Sequence, residues 1–117
     1  KIQVAPNPFK ESIHSNFRLR IFSTIGDLTL DKLEIYNLSG QRVKKMQGDE
    51  ISFSNAANRT VDKNRYGLIE NWWDLYNDSG HKISSGTYWV KFTGRLTNEN
   101  TGTMKQVSSF TKFVVIR

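Results

Sequence analysis

Apolar and polar residues alternate with a period of two along much of this chain, and nowhere do apolar residues recur at helical spacing for three turns. In "NFRLRIF", Phe17, Leu19 and Ile21 fall on one face of an extended segment and Arg18 and Arg20 on the other, the pattern of a half-buried strand. "KLEIYNL" repeats it with Leu33 and Ile35. It then meets "SGQ", where Gly40 is free to take a positive φ, and continues into "RVKKM", so residues 32–46 read as a β-hairpin. "TYWVKF" sends Tyr88, Val90 and Phe92 inward and Trp89 and Lys91 outward. "IENWWDLY" reads as a strand with Trp73 and Leu75 on one face and Trp72 and Tyr76 on the other, so one tryptophan is expected in the core and its neighbour at least partly exposed. The closing "QVSSFTKFVVIR" is the last strand, and its continuous apolar run predicts a central position or cover on both faces.

Turn chemistry separates these segments. The two prolines of "PNPF" (Pro6, Asn7, Pro8, Phe9) fix φ and bias the residues before them away from helix, making an extended entry clasp. "NDSG" offers side-chain bonds to its own backbone and a glycine for left-handed φ, "SSG" starts another reversal, and "TNENTG" forms a loose hairpin tip. Between Gly48 and Gly67 neither period is sustained, which predicts a long loop holding a short strand at Ile51–Phe53. About seven short strands with turns between them define an all-β chain, an antiparallel immunoglobulin-like (fibronectin-like) β-sandwich. At 117 residues it forms a single domain spanning 1–117. Without cysteine there is no disulfide and no thiolate metal site, so packing alone must hold the layers together.

Four quoted stretches carry a family resemblance: "VAPNPF" at the start, "LEIYNLSGQRV" at Leu33 to Val43, "WDLYNDSGHKISSGTYWVKF" at Trp73 to Phe92, and the terminal "KFVVIR". Their order is similar to that of C-terminal sorting domains of type IX secretion cargo and of the related immunoglobulin-like domain of flagellar hook-capping proteins. The resemblance spans nearly the whole chain. It maps Pro6, Asn7, Pro8 and Phe9 onto the family's entry, Gly40 onto its hairpin glycine, Trp73 and Asp74 onto its tryptophan-aspartate pair, Gly80 and Gly86 onto its turn glycines, and Tyr88 onto its aromatic. Lys112 and Arg117 match its basic tail, with Phe113, Val114, Val115 and Ile116 between them. Leu75 stands where the family usually has glycine, and the stretches at Ala56–Gly67 and Thr97–Gly102 are longer than typical. The resemblance implies a non-enzymatic module that carries an upstream passenger to an outer-membrane translocon and the cell surface, where a sortase-like partner cuts before the domain. The entry segment and the terminal strand are then the expected recognition elements, and any export signal lies upstream on a longer precursor.

Other functions find less in the residues. The formal charge of +6 suits an acidic partner, but Lys and Arg are scattered, "KK" at Lys44 and Lys45 being the densest spot, and no nucleic-acid consensus is present. No apolar run is long enough to span a membrane. His14 and His81 sit in polar contexts and mark no catalytic triad. Asp74, Asn77 and Asp78 could converge on calcium, but turn bonding to backbone explains the same residues, and nothing calls for a metal or cofactor. The rival readings are a structural accessory module like the hook-capping domain, and sugar binding with Trp72, Tyr76 and Trp89 as an exposed aromatic platform.

Overall fold

The computed structural model describes residues 1–56, 59–98 and 100–117. The alternating stretches become strands β1 (Ile2–Ala5), β2 (Phe9–Lys10), β3 (Arg18–Ser23), β4 (Asp27–Asn37), β5 (Arg42–Gln47), β6 (Thr60–Val61), β7 (Arg65–Glu70), β8 (Gly86–Thr97) and β9 (Met104–Ile116), with a 3-10 turn at Gly48–Glu50. They pair into two sheets. One is three-stranded in the order β1-β3-β7; the other is six-stranded in the order β2-β9-β8-β4-β5, with β6 pairing beside β4. The chain is therefore all-β with two sheets, an arrangement compatible with a β-sandwich. The expected strand number, about seven, meets nine, of which β2 and β6 are two residues long.

The predicted faces of the first strands hold because alternate residues find apolar partners. Phe17, Leu19 and Ile21 are buried while Arg18 and Arg20 are exposed. Leu33 and Ile35 of β4 and Tyr88, Val90 and Phe92 of β8 are buried likewise, and β4 pairs with β5 around a turn in which Gly40 has φ 83. Aromatic rings tie the layers together. Phe113 of β9 lies 5.7 Å from Phe17 at the head of β3, 5.6 Å from Trp72 and 6.2 Å from Trp73, measured between ring centroids.

Three expectations are corrected. The strand read at "IENWWDLY" is displaced: β7 starts earlier, at Arg65, and ends at Glu70. Asn71 (φ 48) then takes left-handed backbone, which breaks the period of two and lets both Trp72 and Trp73 turn inward, and Leu75 (φ 68) does so again beyond them. Ile51 and Phe53 are buried but not in a strand, while β6 and the first half of β7 occupy part of the predicted loop; residues 57 and 58 of that stretch lie outside the described residues, as does residue 99 of the "TNENTG" tip. The last strand lies between β2 and β8, as expected of a central one, but only at its end, and its apolar run is not covered on both faces. β9 pairs with β8 along its length but with β2 only at Val115 and Ile116. Its apolar run divides by face, Phe113 and Val115 buried, Val114 partly buried and Ile116 42% exposed.

Candidate functional site: the entry segment docked on the last strand

Pro6 and Pro8 have no N–H to give to a sheet, so the entry segment reaches β9 through the residues between and after them. Both proline peptide bonds are cis. The Asn7 side chain acts as a strand partner: its Oδ1 accepts the Val114 N–H at 2.9 Å and its Nδ2 donates to the Lys112 carbonyl at 3.4 Å. Backbone pairing takes over one step later, parallel, with Phe9 beside Val115 and Lys10 beside Ile116. The Glu11 N–H then donates to the Ile116 carbonyl at 2.9 Å, and the Glu11 carboxylate meets the Arg117 guanidinium at 3.0 Å. Phe9 anchors the segment by stacking on Phe17, centroids 4.4 Å apart. His14 Nδ1 accepts the Lys10 N–H at 2.9 Å and so closes the following turn.

The two ends that the family resemblance singles out thus form one surface. Asn7, Pro8, Lys112 and Ile116 are its exposed members. Arg117 is more engaged than a free basic tail: besides Glu11, its N–H donates to Ser85 Oγ at 2.8 Å and its guanidinium to the Leu75 carbonyl at 3.3 Å. Phe113 and Val115 belong to the core.

Beside this surface lies the tryptophan-aspartate turn. Asp74 Oδ1 accepts the Tyr76 N–H at 3.0 Å, and Trp73 Nε1 donates to the Tyr76 carbonyl at 2.9 Å. Asn77 Oδ1 accepts the N–H groups of Ser79 and His81, and Gly80 has φ 81. Asp78 turns away to Lys44, 3.6 Å distant. Asp74, Asn77 and Asp78 are therefore spent separately on backbone and on a lysine, and among the described residues no three His, Asp or Glu side chains gather as a metal set. Gly86 is corrected as a strain-relieving turn glycine: it opens β8 without a positive φ, and a Cβ there would meet only Tyr88, at an ordinary 3.8 Å.

The aromatic platform is corrected too. Trp72 is 5% exposed, packed against Phe17 and Phe113, because the chain has left the strand geometry that would have turned it outward. Tyr76 bridges to Lys82 in the turn, whereas Trp89 lies on the outer face of the six-stranded sheet. Its neighbour there is Phe110, at 5.3 Å, which the sequence reading passed over; "SSFTKF" alternates and could have placed Phe110 with Lys112, opposite Phe113.

The same outer face holds a buried carboxylate. Glu34 is 6% exposed and accepts a hydrogen bond from the Tyr36 hydroxyl at 3.1 Å, with Arg42 at 3.3 Å and Lys32 at 3.6 Å. Burial pushes its pKa up, but the Tyr36 hydroxyl, Arg42 and Lys32 more than offset this and hold it below the ordinary glutamate value. Burial and the Glu34 charge raise the Tyr36 pKa correspondingly. A carboxyl with a depressed folded-state pKa contributes stability above its unfolded pKa and loses it as pH falls through the folded one. Urea unfolding at a series of acidic pH values is expected to show wild type losing stability through that interval and Glu34→Gln falling less steeply, since glutamine keeps the Tyr36 contact but cannot titrate. Parallel curves would exclude Glu34 as a contributor.

No protein-family model, curated protein or solved structure matches the chain.

Proposed function

We propose that this chain is an immunoglobulin-like C-terminal sorting and anchoring domain, which directs an upstream passenger through the type IX secretion system to the cell surface and is recognised rather than catalytic. The observation that carries the reading is the docking of the entry segment on the terminal strand, Asn7 on Val114 and Lys112, β2 on β9, Glu11 on Arg117. These are the two motifs that the resemblance assigns to recognition, and their contact gives a partner one composite surface to read. Leu75 adds support: where the resemblance expects glycine, its φ of 68 is a backbone that glycine adopts readily. The partners on this reading are the outer-membrane secretion machinery and a sortase-like protein that cuts before the domain.

Residues 1–117 fused to a periplasmic reporter in a bacterium with this system should bring the reporter to the cell surface. Lys112 and Ile116 are exposed, so Lys112→Glu with Ile116→Glu should lower surface display several-fold while the melting curve stays within about 1 kcal/mol of wild type. Retention of the wild-type fusion in the periplasm, with the domain folded, refutes the proposal.

A further inference from the structure

On the outer face of the six-stranded sheet, register places Arg42, Tyr36, Trp89 and Lys112 in one row across β5, β4, β8 and β9, and Lys45, Glu34, Lys91 and Phe110 in the next. Tyr36, Leu38, Trp89, Lys91 and Phe110 line a trough of about 240 Å³ between the rows, with Leu38 66% and Phe110 63% exposed. The charges do not balance. Glu34 is consumed by Lys32 and Arg42, and Asp31 by Arg95 at 3.0 Å, whereas among the described residues Lys45, Lys91 and Lys112 have no carboxylate partner. Lys112 instead sits 5.4 Å over the Trp89 ring.

An apolar, aromatic-walled trough with unpaired ammonium groups at its rim complements a ligand that has flat apolar ring faces and regularly spaced negative charges. We propose that this face binds an acidic polysaccharide, whose sugar rings pack on Phe110 and Trp89 while its carboxylates pair with Lys91 and Lys112. Single-stranded nucleic acid, the other flexible polyanion, fits less well. Bases stack on successive parallel rings, but Trp89 and Phe110 stand at 69° to each other and Lys112 covers one Trp89 face. A membrane surface fits less well again, because apolar groups that enter lipid protrude, and these line a concavity that they share with Lys91. The two proposed surfaces meet at Lys112, so the variant that tests this one changes Lys91 and Phe110, which lie outside the sorting surface.

The probe is a uronic-acid oligomer, oligogalacturonate, titrated at low salt with tryptophan emission as readout. Trp72 and Trp73 are each 5% exposed, so a ligand-induced change reports Trp89. We expect a saturable change that weakens as salt is added, little response to neutral cello- or malto-oligosaccharides, and affinity about tenfold lower for Lys91→Glu with Phe110→Ser, the order expected when a half-buried charge is reversed and a stacking ring lost. Affinity electrophoresis in a polyuronate gel gives a second readout that does not depend on fluorescence. No saturable binding, or equal binding by the double variant with an unchanged melting curve, overturns the proposal. Tighter binding of oligothymidylate or of anionic phospholipid vesicles than of oligogalacturonate also overturns it and assigns the face to that class instead.

Discussion

Phe113→Ala is expected to destabilise the domain by about 3–5 kcal/mol, against less than about 1 kcal/mol for Phe110→Ala three residues earlier on the same strand. The contrast follows from the face each ring occupies. Phe113 is 1% exposed and Phe110 63%. Removing the Phe113 ring forfeits burial of the whole side chain and also its edge-on contacts with Phe17, Trp72 and Trp73, pairs that contribute roughly 0.5–1.5 kcal/mol beyond area. The cavity left behind does not collapse easily, because its walls are large rings fixed from both sheets: Phe17 by stacking on Phe9, Trp73 by its hydrogen bond to Tyr76, Tyr88 by its hydroxyl bond to Ser84. Urea unfolding of the two variants measures the difference. A loss below about 1 kcal/mol for Phe113→Ala would mean that this cluster does not hold the layers together.

How far the sequence could be read depended on whether local pattern or distant contact decides a residue's surroundings. Phe17 to Ile21, Leu33 to Ile35 and Tyr88 to Phe92 alternate, alternate residues find the core, and their faces were legible. The tryptophan pair was not, because Asn71, with left-handed backbone, ends the strand before it. Asn71 carries a faint signal of this, since asparagine tolerates positive φ better than most residues, but Leu75 carries none. The candidate site was half legible. "PNPF" and "KFVVIR" were each singled out through the resemblance, yet their contact joins Asn7 to Val114 across almost the whole chain, and no local period encodes it. Nor does an unbroken apolar run say which neighbour a strand has. Phe113, Val114, Val115 and Ile116 look equivalent by hydropathy, and only pairing with β8 on one side and the short β2 on the other separates core from surface.

Deleting Phe113 to Arg117 is expected to leave the chain without a cooperative melt, the largest effect among these changes. The deletion removes Phe113 and Val115 from the core at 1% and 0% exposure, together with every backbone partner of β2 and the Val114 N–H that Asn7 accepts. Freed from β9, Phe9 loses the pairing that holds it against Phe17, so the entry segment is lost with the terminal one. The summed loss, about 3–5 kcal/mol for the phenylalanine and roughly 2 for the valine before any hydrogen bond is counted, is comparable with the ~5–15 kcal/mol by which whole domains are stable. Circular dichroism through a thermal ramp decides it: a cooperative transition in the truncated chain would show that the clasp and terminal strand are dispensable to the fold. The outcome also governs how export is interpreted. A reporter stranded by this deletion reveals an unfolded domain and nothing about recognition, whereas Lys112→Glu with Ile116→Glu alters the same surface with the core intact, so only the second change separates a domain that cannot fold from one that cannot be read.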